Sequence, residues 1–534
     1  MYRATDEAQQ GRGHHPRRPS TAVAPLHVPQ RILREGVVLP DRHRDRGIHF
    51  VGASGSGKSL TLGYLAFFDR LRGVPQVVFD PLGQAIDAFL LRVAQFSKPI
   101  RRRLWPSIRY IDMSGRGTVV PRWPLLFGLP GDSRRDIADR FLETCRAIDA
   151  QLDAAPLLGA NALLRVGTPV GIILSSLGLQ LDQALDLLDR PDAWYDRLDE
   201  CARRFPEARQ AVGFFRQDYL SLKPGDRSMV SQSYRAKLLP ILLDPALRAM
   251  LCTEPPSLDL DDVVGRRQTV LLDFRGVANP RARLLLTRWV YDTILAYIRH
   301  RGPGRHRPLA LHFDEIVELA GQGSLADDRF SKDLDYLLNV LMRNSNLWVT
   351  AAHQQMWQLG EHTRETLLSM GTQLLGLVSD LETAEVLTRR FAGRIDPMRP
   401  KRMRNVWTTI QSVPYIIEKE PVDFPLDEQV FQAARAFLRL RPFEFFVKPR
   451  DQAHLQRASI AEAMGAPWPN EHAEVIEYIR YQLALREGRG AYTRLPERLL
   501  TQVAEARGTM EGYVYHDQHI DEEDIGDWTA DLPR

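Results

Sequence analysis

From residue 47 onward, short unbroken apolar runs alternate with segments of helical period. "IHFV" (48–51), "QVVFD" (76–80) and "IRYIDM" (108–113) are the near-continuous runs expected of strands buried on both faces. Between them, Leu60 to Leu71 and Leu82 to Phe96 repeat apolar residues at helical spacing. That alternation predicts a parallel sheet wrapped by helices. From about 130 to 250 the pattern changes. "RRDIADRFLETCRAID", "LDQALDLLDR" and "AWYDRLDECARRF" have helical periodicity and almost no strand signal, which predicts an all-helical insertion. The strand pattern then returns. "TVLLDF" (269–274) precedes a long helix from about Arg281 to Arg301, and "LALHFDE" (309–315) precedes a glycine-bearing loop and a helix through Leu341. "LWVTAAHQ" (347–354), "TQLLGLV" (372–378) and "FEFFVK" (443–448) read as further strands.

The fold class that follows is α/β, with a mostly parallel sheet and an inserted helical domain. The division along the chain is a basic disordered arm (1–45), a first part of the α/β core (46–129), the helical insertion (130–250), a second part of the core (251–451), and a helical, polar extension with an acidic tail (452–534). There is no internal repeat.

The chain has 534 residues, 44% of them hydrophobic, so a large core is attainable. A net charge of +4 permits nucleic-acid contact without demanding it. Cys145, Cys201 and Cys252 lie far apart, which excludes a disulfide framework or a CxxC zinc site and fits a reducing, cytoplasmic setting. No run of about 18 uncharged apolar residues occurs. The best approximation, Val166 to Leu181, is broken by Gly and Pro. The basic N-terminus lacks an apolar signal core. Any membrane attachment is therefore expected to run through a partner protein.

Chemistry concentrates at strand ends. Gly52, Ala53, Ser54, Gly55, Ser56, Gly57, Lys58 and Ser59 fit the phosphate-loop pattern G-x-x-x-x-G-K-[ST], and Leu60 continues into the helix. Glycines let backbone N–H groups approach an anion, and the following helix adds the positive end of its dipole. Lys58 is expected to reach the β/γ-phosphates of ATP and Ser59 to ligate Mg²⁺. A flexible turn uses similar residues, but a strand before and a helix after favour phosphate.

Asp314 and Glu315 end the apolar run 309–313. Asp314 is expected to hold Mg²⁺ through its water and Glu315 to act as general base. Gln354, with Gln355 as the alternative, ends the next strand and is placed to sense the γ-phosphate. Arg343 precedes that strand and is a candidate arginine finger reaching a neighbouring subunit, with Arg389, Arg390 and the run "RPKRMR" (399–404) as weaker ones. The phosphate loop, Asp80, Asp314-Glu315 and Gln354 all end strands, so one sheet edge can gather them.

The order of "GASGSGKS", "VVFDPLGQ", "YIDM", "TVLLDFRGV", "LHFDEI", "MRNSNLWVTAAHQ" and "TQLLGLVSDLETAEVL" resembles that of the HerA/FtsK superfamily of ring ATPases, and most nearly the TraG/TraD-like coupling proteins of conjugative type IV secretion. The resemblance covers residues 47 to about 450. It implies a RecA-like P-loop NTPase core, a homo-hexameric ring with ATP and Mg²⁺ between subunits, and transport of single- or double-stranded DNA. It also implies that Lys58, Ser59, Asp314, Glu315, Gln354 and Arg343 carry hydrolysis. The chain departs from the family in lacking N-terminal membrane helices and in carrying Leu82 and Gln84 in "DPLGQ". Three alternatives share these residues: a secretion ATPase acting on protein, a HerA-like helicase of DNA processing, and a nucleotide-binding scaffold, against which the intact Glu315 argues.

Overall fold

The computed structural model describes residues 44–494, apart from 97, 116–118, 152–158, 303, 305–306, 321–331, 392–399, 411–412, 452–454, 460–468 and 489–491. Almost all of the basic arm and the whole acidic tail lie outside the described residues.

The strands are β1 (Ile48–Val51), β2 (Gln76–Asp80), β3 (Ile108–Asp112), β4 (Val119–Pro121), β5 (Thr269–Asp273), β6 (Leu309–Phe313), β7 (Leu347–His353), β8 (Thr372–Leu375), β9 (Arg402–Ile410), β10 (Val413–Val422), β11 (Glu444–Lys448), β12 (Gln456–Ser459) and β13 (Tyr492–Arg494). Nine of them form one sheet in the order β12-β11-β8-β1-β7-β6-β2-β5-β3. From β8 to β3 every pairing is parallel. β11 then runs antiparallel to β8, and β12 antiparallel to β11. β1, β2, β5, β6, β7 and β8 are buried along their whole length, which is why the sequence reads there as apolar runs. β7 lies between the strand that leads into the phosphate loop and the strand that carries Asp314.

Helices cover both faces. On one face α1 (Lys58–Leu71) and α2 (Gln84–Ala94) bury Leu62, Leu65, Phe67, Ile86 and Phe89 against Phe50, Val78 and Leu271 of the sheet. On the other face a single apolar cluster runs unbroken from the sheet into the insertion. It links Val77, Phe79 and Ile111 with residues of three helices: Phe141 of α3 (Arg134–Gln151), Val170 and Ile173 of α4 (Gly159–Ser176), and Trp289 and Ile294 of α5 (Pro280–Arg301). Each such side chain contributes about 1.5–3 kcal/mol on burial. The insertion is thus welded to the sheet rather than tethered to it. Residues 134–251 carry no strand among those described. α4 is the segment that came nearest to a membrane span, yet its apolar side chains fill this core. No described helix is long and apolar enough to cross a membrane.

The remaining elements include α6 (Met342–Ser345), α7 (Leu381–Phe391), α8 (Leu426–Phe437) and α9 (Ala473–Gly488). α9 closes the free edge of β3. Glu487 accepts from Arg109 at 2.7 Å, and Arg486 donates to the carbonyls of Trp105 and Ile108. β12 and the β4–β13 pair emerge beyond what the apolar pattern announced. Of the run 399–404, residues 402–404 begin β9. β9 and β10 pair with each other alone, as a ribbon bonded to neither edge of the main sheet. Its charged residues hid the strand signal, and Arg404 meets Glu420 across the ribbon at 3.1 Å.

Beneath the phosphate loop, three neighbouring strands share a buried polar chain. Gln373 donates to the carbonyls of Leu367, Leu368 and Met370, so its Oε1 is left to accept from His49 Nδ1 at 2.6 Å. His49 Nε2 then accepts from His353 Nε2, 2.8 Å away. A protonated His49 would set two N–H groups head to head. Burial accordingly lowers the His49 pKa to about 4, against a partial rise from Gln373, and holds His353 well below its usual value. The unfolded chain takes up a proton near pH 6.5 and the folded chain only near 4, so stability is lost as pH falls through that window. His49 alone should remove about 2 kcal/mol between pH 7.5 and 5. Urea titrations at the two pH values check this, and His49→Asn should flatten the loss.

Candidate functional site

The phosphate loop begins where β1 ends, at the C-terminal edge of the sheet. The loop is held from three sides. Gly52 N–H donates to the His353 carbonyl at 3.3 Å, Ala53 N–H to the Leu377 carbonyl at 2.6 Å, and the Ser56 carbonyl accepts from Phe443 N–H at 2.9 Å. Gly57 caps α1 at φ 95°, a left-handed conformation open to glycine at little cost. The Phe443 ring lies so close that a Cβ on Gly57 would overlap it. Phe443 itself sits at φ 65°, an outlier for a bulky residue. Its strained backbone places both its N–H and its ring against the loop. The sequence marked Phe443 only as the first residue of a strand run, and no local signal there reports a positive φ.

The acidic pair arrives on the same edge from β6. Asp314 N–H donates to the Phe79 carbonyl at 3.0 Å, which fixes the turn out of the strand. Its carboxylate is 1% exposed, and neither oxygen has a hydrogen-bond partner. Burial first, then the charge of Glu315, raise its pKa to about 6 against the opposing pull of the neighbouring Ser59 hydroxyl and Lys58 ammonium. A buried carboxylate beside a hydroxyl and a lysine has acceptor capacity that its own neighbours do not use up. A hydrated divalent cation suits it, since magnesium takes few protein oxygens and keeps its own waters.

Glu315 follows at φ 57°, another left-handed residue that is not glycine. The turn swings its side chain back over the loop. Lys58 Nζ stands 3.6 Å from Glu315 Oε1, and both groups are nearly buried. Gln354 Nε2 donates to the same oxygen at 2.7 Å. Burial raises the Glu315 pKa, and Lys58 and Gln354 oppose the rise. Of the two amides after β7, Gln354 thus meets Glu315, whereas Gln355 bonds to Ser379 Oγ at 3.3 Å.

The edge therefore gathers Gly52 to Ser59, Asp314, Glu315 and Gln354. Asp80 ends β2 on that edge too, but its carboxylate is committed to backbone. It accepts from the N–H groups of Leu82 (3.1 Å), Gly83 (2.5 Å) and Ile86 (2.9 Å), anchoring the start of α2. Burial and the charges of Asp314 and Asp273 keep its pKa well above the usual range. Arg343 lies in α6, but its side chain falls outside what the structure describes. Arg389 pairs with Asp427 at 3.0 Å and Arg390 with Glu365 at 3.8 Å, both away from the loop.

No protein-family model matches the chain, and no curated protein matches its sequence. Solved structures similar to it include the bacterial conjugative coupling protein TrwB in an unbound form (15% identity, TM-score 0.48, covering 81% of this chain and 89% of that one). The plasmid coupling protein TrwB in complex with ADP and Mg²⁺ has the same identity and TM-score over 81% and 90%. VirB4 of Thermoanaerobacter pseudethanolicus is 12% identical, with a TM-score of 0.46 over 82% and 97%.

Proposed function

We propose that the chain is an ATP-hydrolysing ring motor that translocates DNA, like the conjugative coupling proteins its motifs resemble. One observation carries the reading: Lys58 and the Asp314-Glu315 pair, remote in sequence, meet at one sheet edge around an unpartnered buried carboxylate. The backbone N–H groups of the glycine loop and the first turn of α1 cradle the triphosphate, and Lys58 reaches its β- and γ-phosphates. Ser59 and Asp314 would hold a magnesium ion, which would offset phosphate charge. Glu315 takes the proton of the attacking water, and Gln354 fixes the carboxylate that does so. Arg343 is the candidate to complete the site of an adjoining subunit in a homo-hexamer. Attachment to a membrane would run through an anchored partner protein.

The motif order and the helical insertion between β4 and β5 support DNA as cargo, by the resemblance to the coupling proteins. The test is ATP turnover with and without single- and double-stranded DNA, beside mass determination with a non-hydrolysable ATP analogue. DNA should raise turnover many-fold, and the analogue should shift the mass to that of a ring. Turnover indifferent to DNA but raised by a protein partner would replace this reading with that of a protein-secretion ATPase.

A further inference from the structure

The sheet edge opposite the phosphate loop carries a second charged site. Arg46 precedes β1, Gly371 precedes β8 and Arg450 follows β11, so all three lie at the N-terminal ends of the parallel strands. There they enclose a cavity of about 510 Å³ with Arg390, Phe391 and Lys448. Four cationic side chains line it, Arg390 among them also pairing with Glu365 at 3.8 Å, and none of its described lining residues is acidic. The Lys448 ammonium lies over the Phe391 ring, 5.8 Å from its centre.

The foot of the β9–β10 ribbon is linked through α8 to the helix that supplies Arg390 and Phe391 to this cavity. Lys401, at its foot, bonds to Glu428, and the adjacent Asp427 pairs with Arg389, next to the cavity's Arg390. The ribbon raises Trp407, 58% exposed, directly opposite Ile416. An isolated two-stranded ribbon with bare apolar side chains is marginal in water. Concentrated positive charge and an exposed indole together suit a polyanion that also has flat apolar faces.

We propose that this edge binds single-stranded nucleic acid, with phosphodiester groups in the cavity and a base stacked on Trp407; the proposal rests on the DNA-motor reading and locates its cargo. Contacts of this kind follow the backbone and tolerate any sequence.

The probe is a fluorescent oligo-dT strand, its anisotropy titrated without nucleotide over a range of salt. Arg390 and Arg450 are exposed, so their removal leaves no cavity in the core. Arg390→Ala with Arg450→Ala should weaken binding at least tenfold and reduce the salt slope by about 1.4. Trp407→Ala should weaken binding at least fivefold with little change in salt slope. Unchanged affinity and slope in the double variant reject the site. So does unchanged DNA affinity with lost binding to phosphatidylglycerol vesicles, which would make the edge a lipid-headgroup site. Because affinity is read without nucleotide, a chain lacking turnover still decides the question. DNA-stimulated turnover with unaltered affinity in the double variant rejects this edge alone.

Discussion

Glu315→Gln should bind nucleotide as tightly as the parent chain and turn it over about a hundredfold to ten-thousandfold more slowly. The substitution keeps the shape of the side chain and its amide oxygen, so the bond from Gln354 Nε2 survives. What it removes is the capacity to take a proton. Glu315 suits that task because burial raises its pKa, which makes it a better proton acceptor, while Lys58 and Gln354 oppose the rise. The backbone adds a second indication. A left-handed glutamate costs of order 1–3 kcal/mol, and here that strain delivers the carboxylate to a point 3.6 Å from Lys58 Nζ. Steady-state turnover and calorimetric binding of a non-hydrolysable analogue, run on the same preparation, separate the two effects. Turnover equal to that of the parent chain would sink the assignment of Glu315 as base.

Much of this arrangement was legible because burial on both faces leaves a plain signature. β1, β2, β5, β6 and β7 have no solvent side, so each appears as an apolar run, and the phosphate loop, Asp314-Glu315 and Gln354 follow directly where such runs stop. The glycine loop was legible for a related reason: small residues packed between a strand and a helix, ending in Lys-Ser, fit a backbone that bends around an anion. What was hidden depends on contacts between distant segments. Phe443 acts on the loop through its backbone angle and its ring, and nothing in "FEFFVK" reports either. Asp80 looks like Asp314 in sequence, since each ends a buried strand. Only the three N–H groups pointing at it show that Asp80 is occupied by α2 while Asp314 is left open. The β9–β10 ribbon escaped because it is exposed on both faces and its strands mix charged and apolar residues without a buried stripe. The cavity at the opposite edge is invisible in sequence, its four cations coming from three separate stretches of chain.

Lys58→Met should abolish nucleotide binding and also destabilise the empty protein, and the two losses have different cures. Lys58 is 4% exposed, and the charges facing it are the carboxylates of Glu315 and Asp314. Methionine fills the same stem volume but brings no charge, so two buried carboxylates lose the cation that offsets them. Breaking a buried pair by removing one member costs about 3 kcal/mol or more when the other cannot escape to water. Here the carboxylates can take up protons, so the cost at pH 7.5 should be nearer 2 kcal/mol and should shrink as pH falls towards 6, where protonated Asp314 no longer needs an ammonium beside it. Adding Glu315→Gln should recover most of the lost stability, because the neutral amide has no charge to strand. It should recover none of the binding, because no group then reaches the phosphates. Urea unfolding of the single and double variants measures the first effect, and calorimetry with a magnesium-bound ATP analogue measures the second. Binding of the single variant within a few-fold of the parent chain would remove the phosphate loop from the site. A double variant no more stable than the single one would mean that Lys58 and Glu315 are neighbours without being coupled.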